Sequence, residues 1–276
     1  MNDLLGNPAL QGGVAPFLAA LLAVVIVIWP LRADRFAGIA ITVAFITAVA
    51  LTVGWSFESM SATRKLSLLG IGAGVLLLAA EAARLAPRPA LRTAMAVAAA
   101  AATLWLLLGV LRQMAPVAAA LAAAAGALFV AALVDSGQGA PRNSLQSGAT
   151  ALVLGLAGGA LALLGASAVL ALMCISVGAG AGAVLLVQMI SGKRLATAWT
   201  LTWPASAVVG PVAVLSVLTG GVRWYTVLPL LAVPWATRWL PVARHPVWLE
   251  TILAALAAAV PAALALVLAW AGSGAA

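Results

Sequence analysis

The residues able to do chemistry in this chain are few and scattered. There is one histidine, His245, and one cysteine, Cys174. A metalloprotease-type zinc helix needs two histidines one turn apart, and thiol redox or thiolate metal motifs need paired cysteines, so neither is available. Gly192-Lys193 is followed by Arg194 and lacks the upstream glycine and the Ser or Thr of a phosphate-binding loop. The six acids are too far apart to place two carboxylates on one helix. The expectation is therefore no enzyme, no cofactor and no metal.

Two acids touch apolar runs. Glu81 is the deepest, and Arg84 lies three residues on, on the same helical face, so an interfacial ion pair is expected. The competing role for Glu81 is as an ion or proton group, because ionisable residues within a membrane mark function. Glu250 opens the last apolar run, where the helix dipole favours an acid and where Arg244 and His245 are close in sequence. Glu58, Arg64 and Lys65 form a solvated loop cluster. Gln11 and Gln146 are placed to cap helices, and Gln188 to bond across them. Cys174, inside an apolar run, reads as a packed core residue.

The elements that carry these residues are set by composition. Of 276 residues, 65% are apolar and 7% are charged, against about a quarter charged in a soluble domain. Too few charges remain to make a water-facing surface, so lipid is the solvent. The apolar runs are about 20 residues long, the length of a membrane helix, and do not show the alternation of barrel strands. Ten such segments are predicted, near 14–31, 36–55, 66–85, 93–111, 115–134, 148–165, 168–190, 198–219, 225–240 and 249–270. The ninth is the weakest, with Pro229 and Pro234 inside it and Pro241 just beyond. The first is not read as a cleaved signal: no Lys or Arg precedes it, and Trp29-Pro30-Leu31-Arg32 follows it instead of a small-residue cleavage site. The net charge of +8 is spread over helix ends and forms no stripe, which argues against nucleic acid.

The two halves resemble each other weakly. Leu10-Gln11-Gly12-Gly13 matches Leu145-Gln146-Ser147-Gly148, Arg64-Lys65-Leu66 matches Lys193-Arg194-Leu195, and the stretch from Trp105 to Arg112 matches that from Trp239 to Arg244. The offsets are 135, 129 and 132 residues, and each maps helix n onto helix n+5. An odd repeat unit enters the membrane from the opposite side in its second copy. The expected fold is thus an all-α integral membrane protein of about ten helices in two five-helix inverted-topology halves, 1–134 and 148–276, joined by a polar linker at 135–147. Inverted halves can rock about a midplane site built from interrupted helices. The third helix holds Gly70-Ile71-Gly72-Ala73-Gly74, and the eighth holds Thr200, Thr202, Trp203-Pro204, Ser206 and Gly210-Pro211. Gly70, Gly72, Gly74, Thr200, Thr202, Pro204, Ser206, Gly210 and Pro211 are accordingly the expected substrate-binding residues, lining a cavity between the two helices. The competing explanation for the glycines is close helix packing, as for Gly155/Gly159 and Gly178/Gly182.

The function expected from these features is a secondary carrier or exporter of a small molecule. The alternative is a non-catalytic membrane subunit or assembly factor that docks a membrane protein partner within the bilayer. Besides lipid, the partners expected are a small-molecule substrate and no nucleic acid. With the N-terminus outside, alternate loops hold ten Lys and Arg on the inner side and four on the outer, an excess that sets orientation in an inner (plasma) membrane. Trp29, Trp55, Trp199, Trp224, Trp248 and Trp270 fall at helix ends, as an interfacial aromatic belt requires. Reporter fusions at either terminus should be active only as extracytoplasmic reporters; activity of cytoplasmic reporters at both ends would reverse the orientation.

Overall fold

In the computed structural model of the chain, residues 7–55, 60–84, 89–139, 143–196, 199–240 and 246–273 are described. Glu58, Arg88, Arg142, Pro241, Arg244 and His245 lie outside them. Among the described residues the regular structure is helical throughout. Nine helices among the described residues are long and apolar enough to cross a membrane. In chain order they are α1 (Leu10–Ile28), α2 (Asp34–Thr52), α3 (Ala62–Ala82), α4 (Pro89–Leu111), α5 (Pro116–Gly139), α6 (Ser144–Gly165), α7 (Ala168–Ser191), α8 (Trp199–Leu218) and, after a broken segment α9, α10 (Val247–Ser273). The α9 segment is three short pieces, Trp224–Val227, Leu228–Ala232 and Val233–Arg238, the middle one a 3-10 turn. Pro229 and Pro234 each remove a backbone donor there, so a continuous α-helical ladder cannot form.

Local sequence explains the other boundaries. Pro89 and Pro116 open α4 and α5, where a missing N–H costs nothing. The Ser61, Asn143 and Ser167 side chains accept from the amides of Arg64, Gln146 and Val169, capping α3, α6 and α7. Gly192 ends α7 in the left-handed conformation at φ 66°. The polar stretch Asp135–Ser147 is mostly helical, since α5 runs to Gly139 and α6 starts at Ser144.

Side-chain contacts fix how the ends align. Gly12 at the start of α1 meets Leu172 at the start of α7, and the Thr219 hydroxyl after α8 donates to the Gly165 carbonyl at the end of α6. Tyr225, at the start of α9, lies against Gly272 near the end of α10. At the other end, the Thr237 hydroxyl of α9 is 3.3 Å from that of Thr150 in α6. The broken segment thus carries the chain from one end of the bundle to the other, and α1 begins on the same face on which α10 finishes. The opposite face carries Arg32, Arg35, Arg84, Arg92, Lys193, Arg194 and Arg238 and is called here the Arg-rich end.

At the centre is α8, buried from Thr200 through Val217. It packs on α2, α3, α4, α5, α6 and α7. By contrast α1, α5 and α10 present apolar residues such as Leu18, Leu22, Leu121, Leu128, Leu256 and Val260 outward, as lipid-facing helices do. Trp29, Trp55, Trp248 and Trp270 are exposed near helix ends. Small residues let the inner helices close up. A Cβ on Gly155 of α6 would collide with the backbone of Gly178 in α7, and one on Gly180 of α7 would lie 2.7 Å from the Ile41 Cα of α2. Helix α1 packs on α2 and α6 on α7, α4 packs on α5 and α9 on α10; α2 also meets α7, and α3 meets α8. Other contacts have no counterpart: α6 packs along α8 and α10, whereas α1 has no equivalent packing on α3 or α5 among the described residues.

The two kinds of glycine should separate in a stability measurement. Gly155→Ala overpacks a backbone contact and should cost about 1–3 kcal/mol, visible as a lower thermal midpoint in detergent. Gly72→Ala, where a Cβ meets nothing within 4 Å, should leave the midpoint unchanged or raise it slightly.

Candidate functional site

The α8 helix contains Pro204 and Pro211, yet remains helical through both. Each proline removes the usual donor for the carbonyl four residues earlier, those of Thr200 and Ala207. Around the Arg-rich half of α8 lies a group of buried polar atoms with no hydrogen-bond partner among the described residues: Trp203 Nε1 and Ser206 Oγ on α8, Thr42 Oγ1 on α2, Arg92 Nε on α4, and both amide atoms of Gln138 on α5. Ser206 is seven residues into α8, about 10 Å from its start. A buried polar group left unpaired costs about 1–3 kcal/mol, so each of these atoms calls for a partner that the described residues do not supply.

The expected site residues divide among different faces. Gly70 meets the Phe45 ring and Gly74 meets Thr42, both on α2, so these two are packing glycines. Gly72, on the other side of α3, lines a cavity with Trp203 and Ala207 of α8. Thr200 packs against Gly38 at the start of α2. Thr202 and Ser206 face Gly137 of α5, and Gly210 faces Val130 and Leu133 of the same helix. Pro204 and Pro211 are buried in the helix interior. Helices α3 and α8 therefore do meet at the centre, but their glycines and hydroxyls do not share one cavity. The Thr202 and Ser206 side chains turn towards α5, Thr200 turns towards α2, and only Gly72 turns to the cavity. Trp203, Ala207, Gln138 and the α4 wall are additional residues of this region. Trp203 stood beside Pro204 in the sequence and was overshadowed by it; Gln138 sat in what reads as a linker.

Cavities lie between helices at the periphery. Two, of about 220 and 300 Å³, run between α3 and α4 and share Leu76, Ala98 and Trp203. One of about 540 Å³ lies between α6 and α10 near Leu163 and Trp270, and one of about 530 Å³ between the start of α1 and α6–α7 near Gly12 and Leu172. Their walls are almost wholly hydrocarbon.

Charged residues are paired in ways that local sequence does not give. Glu81 faces Arg35 of α2 and lies close to the Trp199 side chain. The expected partner, Arg84, sits beyond the end of α3 at φ 54° and forms no ion pair among the described residues. Glu250, 2% exposed, accepts from Arg194 Nη2 at 2.6 Å and from Asn143 Nδ2 at 2.6 Å. One carboxylate thus ties α10 to the start of α6 and to the segment after α7. Beside it, Gln188 of α7 accepts through Oε1 from the Ser144 hydroxyl at 2.6 Å and from the Leu195 amide at 3.1 Å, the cross-helix bonding expected of it. Arg92 of α4 pairs with Asp135 of α5 at 2.8 Å. No group of three or more His, Cys, Asp or Glu able to hold a metal occurs among the described residues.

Comparison of the chain with protein-family models, with curated proteins and with solved structures gives no match. The site must therefore speak through its own geometry.

Removing Arg194 leaves the Glu250 carboxylate buried with Asn143. Breaking a buried pair costs about 3–5 kcal/mol; Arg194 is about one-third exposed, which lowers the figure to roughly 1–3 kcal/mol. Arg194→Ala should lower the thermal midpoint in detergent accordingly, and Glu250→Gln in the same chain should recover part of the loss. Additive losses in the double variant would show that the two side chains are not coupled.

Proposed function

We propose that the chain is a small secondary carrier or exporter that works by alternating access, with α8 as the element around which access changes. One observation carries this reading: the unpaired polar atoms of Trp203, Ser206 and Gln138 collected around a doubly proline-bearing helix that is buried on every side. A polar solute passing between α8 and α5 would supply the partners that Ser206 and Gln138 lack, which is how intramembrane polar groups come to mark a substrate path. Thr202, Ser206 and Gly137 would line that path. Glu81, held near Arg35 and Trp199, is the group proposed to couple proton or ion movement to it. The Arg194–Glu250–Asn143 cluster would hold the Arg-rich end shut.

The inverted repeat belongs to the same proposal. It is supported by the pairing of α1 with α2 and of α6 with α7, and by the meeting of α2 with α7 and α3 with α8, contacts that a two-fold relation between the halves allows. The Arg-rich end is assigned to the cytoplasm of an inner (plasma) membrane, with both termini on the other side. The rival reading, a subunit or assembly factor that docks a partner, has the apolar outward cavities in its favour.

The two readings differ in whether the α5–α8 contact opens to water. In oriented vesicles, Ser206→Cys should be modified by a membrane-impermeant thiol reagent added to either side, at rates well below that of a surface cysteine. Cys174 is buried and serves as the unreactive background. A cysteine at 206 protected from both sides in the folded protein would remove the carrier reading and leave the docking one.

A further inference from the structure

The crevice between α3 and α4 has a shape and a charge distribution that the carrier path along α5 does not use. Its two cavities join end to end at Leu76, Ala98 and Trp203. On α4 the lining runs from Leu91 to Ala102, a span of twelve residues, or about 16 Å along the helix axis. That is about half of the ~30 Å hydrocarbon thickness, so the crevice extends from one interface to the middle of the bilayer. Its α4 wall carries alanine methyls, at Ala94, Ala98 and Ala102, spaced one turn apart, and its floor is Trp203. Exposed Leu76 and Ala98 at the lip place its opening towards the membrane, not towards either aqueous phase.

The end at Ala80 and Leu91 is the Arg-rich one. Arg84, one turn beyond Ala80, is exposed and has no ion-pair partner among the described residues. Of the nearby acids, Asp135 pairs with Arg92, and Glu81 lies close enough to Arg35 to feel its charge. The mouth is therefore net positive, while the crevice itself is hydrocarbon. A partner helix, about 10 Å across, is too wide for cavities of about 220 and 300 Å³. A chain one methylene wide is not.

We infer that this crevice is a binding site for an anionic membrane phospholipid of the leaflet at the Arg-rich end, one acyl chain lying between α3 and α4 over Trp203 and the headgroup at Arg84. The chain satisfies the apolar walls along half the bilayer, and Arg84 supplies the preference for negative charge. A basic side chain at an anionic headgroup favours it by roughly fivefold. The site does not depend on the carrier reading, since a docked lipid would occupy it in a carrier or in a subunit alike.

The test uses the full chain in phosphatidylcholine nanodiscs containing a trace of phospholipid with a photoactivatable acyl chain, as phosphatidylglycerol in one arm and phosphatidylcholine in the other. Adducts are mapped by peptide mass spectrometry. The phosphatidylglycerol probe should concentrate its adducts on residues 68–80 and 91–102, roughly fivefold above the phosphatidylcholine probe. Arg84→Gln should bring the two probes level. Gly72→Leu and Ala98→Leu, each filling the crevice from a different helix, should remove the α3 and α4 adducts while leaving those on lipid-facing α1 and α10. Two variants guard against one that fails to fold. Adducts on α3 and α4 no more frequent than at Leu18, Leu22, Leu256 and Val260, or insensitive to both filling variants, would overturn the proposal.

Discussion

In hydrocarbon no water stands ready to replace a lost backbone hydrogen bond, and α8 gives up two of its own at Pro204 and Pro211. A helix short of two hydrogen bonds is tolerable only if protein surrounds it. That constraint orders the rest of the molecule. Six helices close around α8, and the least buried ones, α1 and α10 among them, form the outer layer. The polar atoms that the prolines and hydroxyls bring to the centre are consequently kept from lipid.

Enclosing one helix with six requires that the neighbours approach closely, and here side-chain size decides. Gly38, Gly137 and Gly158 are the surfaces on which Thr200, Ser206 and Val209 of α8 rest. Gly155 and Gly178 bring α6 and α7 into backbone contact. Between α3 and α4 the fit is looser: Gly72 and the row of alanines leave room where larger residues would have filled it. The same small residues therefore produce contact on one side of α8 and a crevice on the other, depending on whether the facing helix comes up to meet them.

The helical membrane architecture was legible in composition and run length, because those quantities follow from the solvent. The weakness of the ninth segment was legible too, since Pro229 and Pro234 act within one turn of themselves. The turn at Gly165-Ala166-Ser167, which divides α6 from α7, was readable for the same local reason. Pairings across the fold were not. Arg194 is 56 residues from Glu250 and Arg35 is 46 from Glu81, while Arg84 lay three residues away and drew the assignment. Which face of α8 carries the hydroxyls could be drawn on a helical wheel, but which neighbour that face meets is a property of the packing. Thus Ser206 and Gly72 were both singled out, and only the three-dimensional structure sets them against different helices.

The α9 segment has a bearing on the membrane itself. Ten residues at α-helical rise and five at 3-10 rise give it a length of about 25 Å, some 5 Å less than a typical hydrocarbon core. Tyr225, Leu228, Trp235 and Trp239 along it are exposed, so lipid must adapt to this side of the protein. A short span flanked by aromatic residues draws the two interfaces together, at a cost of fractions of a kcal/mol for each ångström. On its α9 side the protein would therefore impose a local dimple on a bilayer of typical thickness. It is more at ease in a thin membrane than in a thick one, and neighbours with similarly short spans are the ones that share that dimple without further deformation.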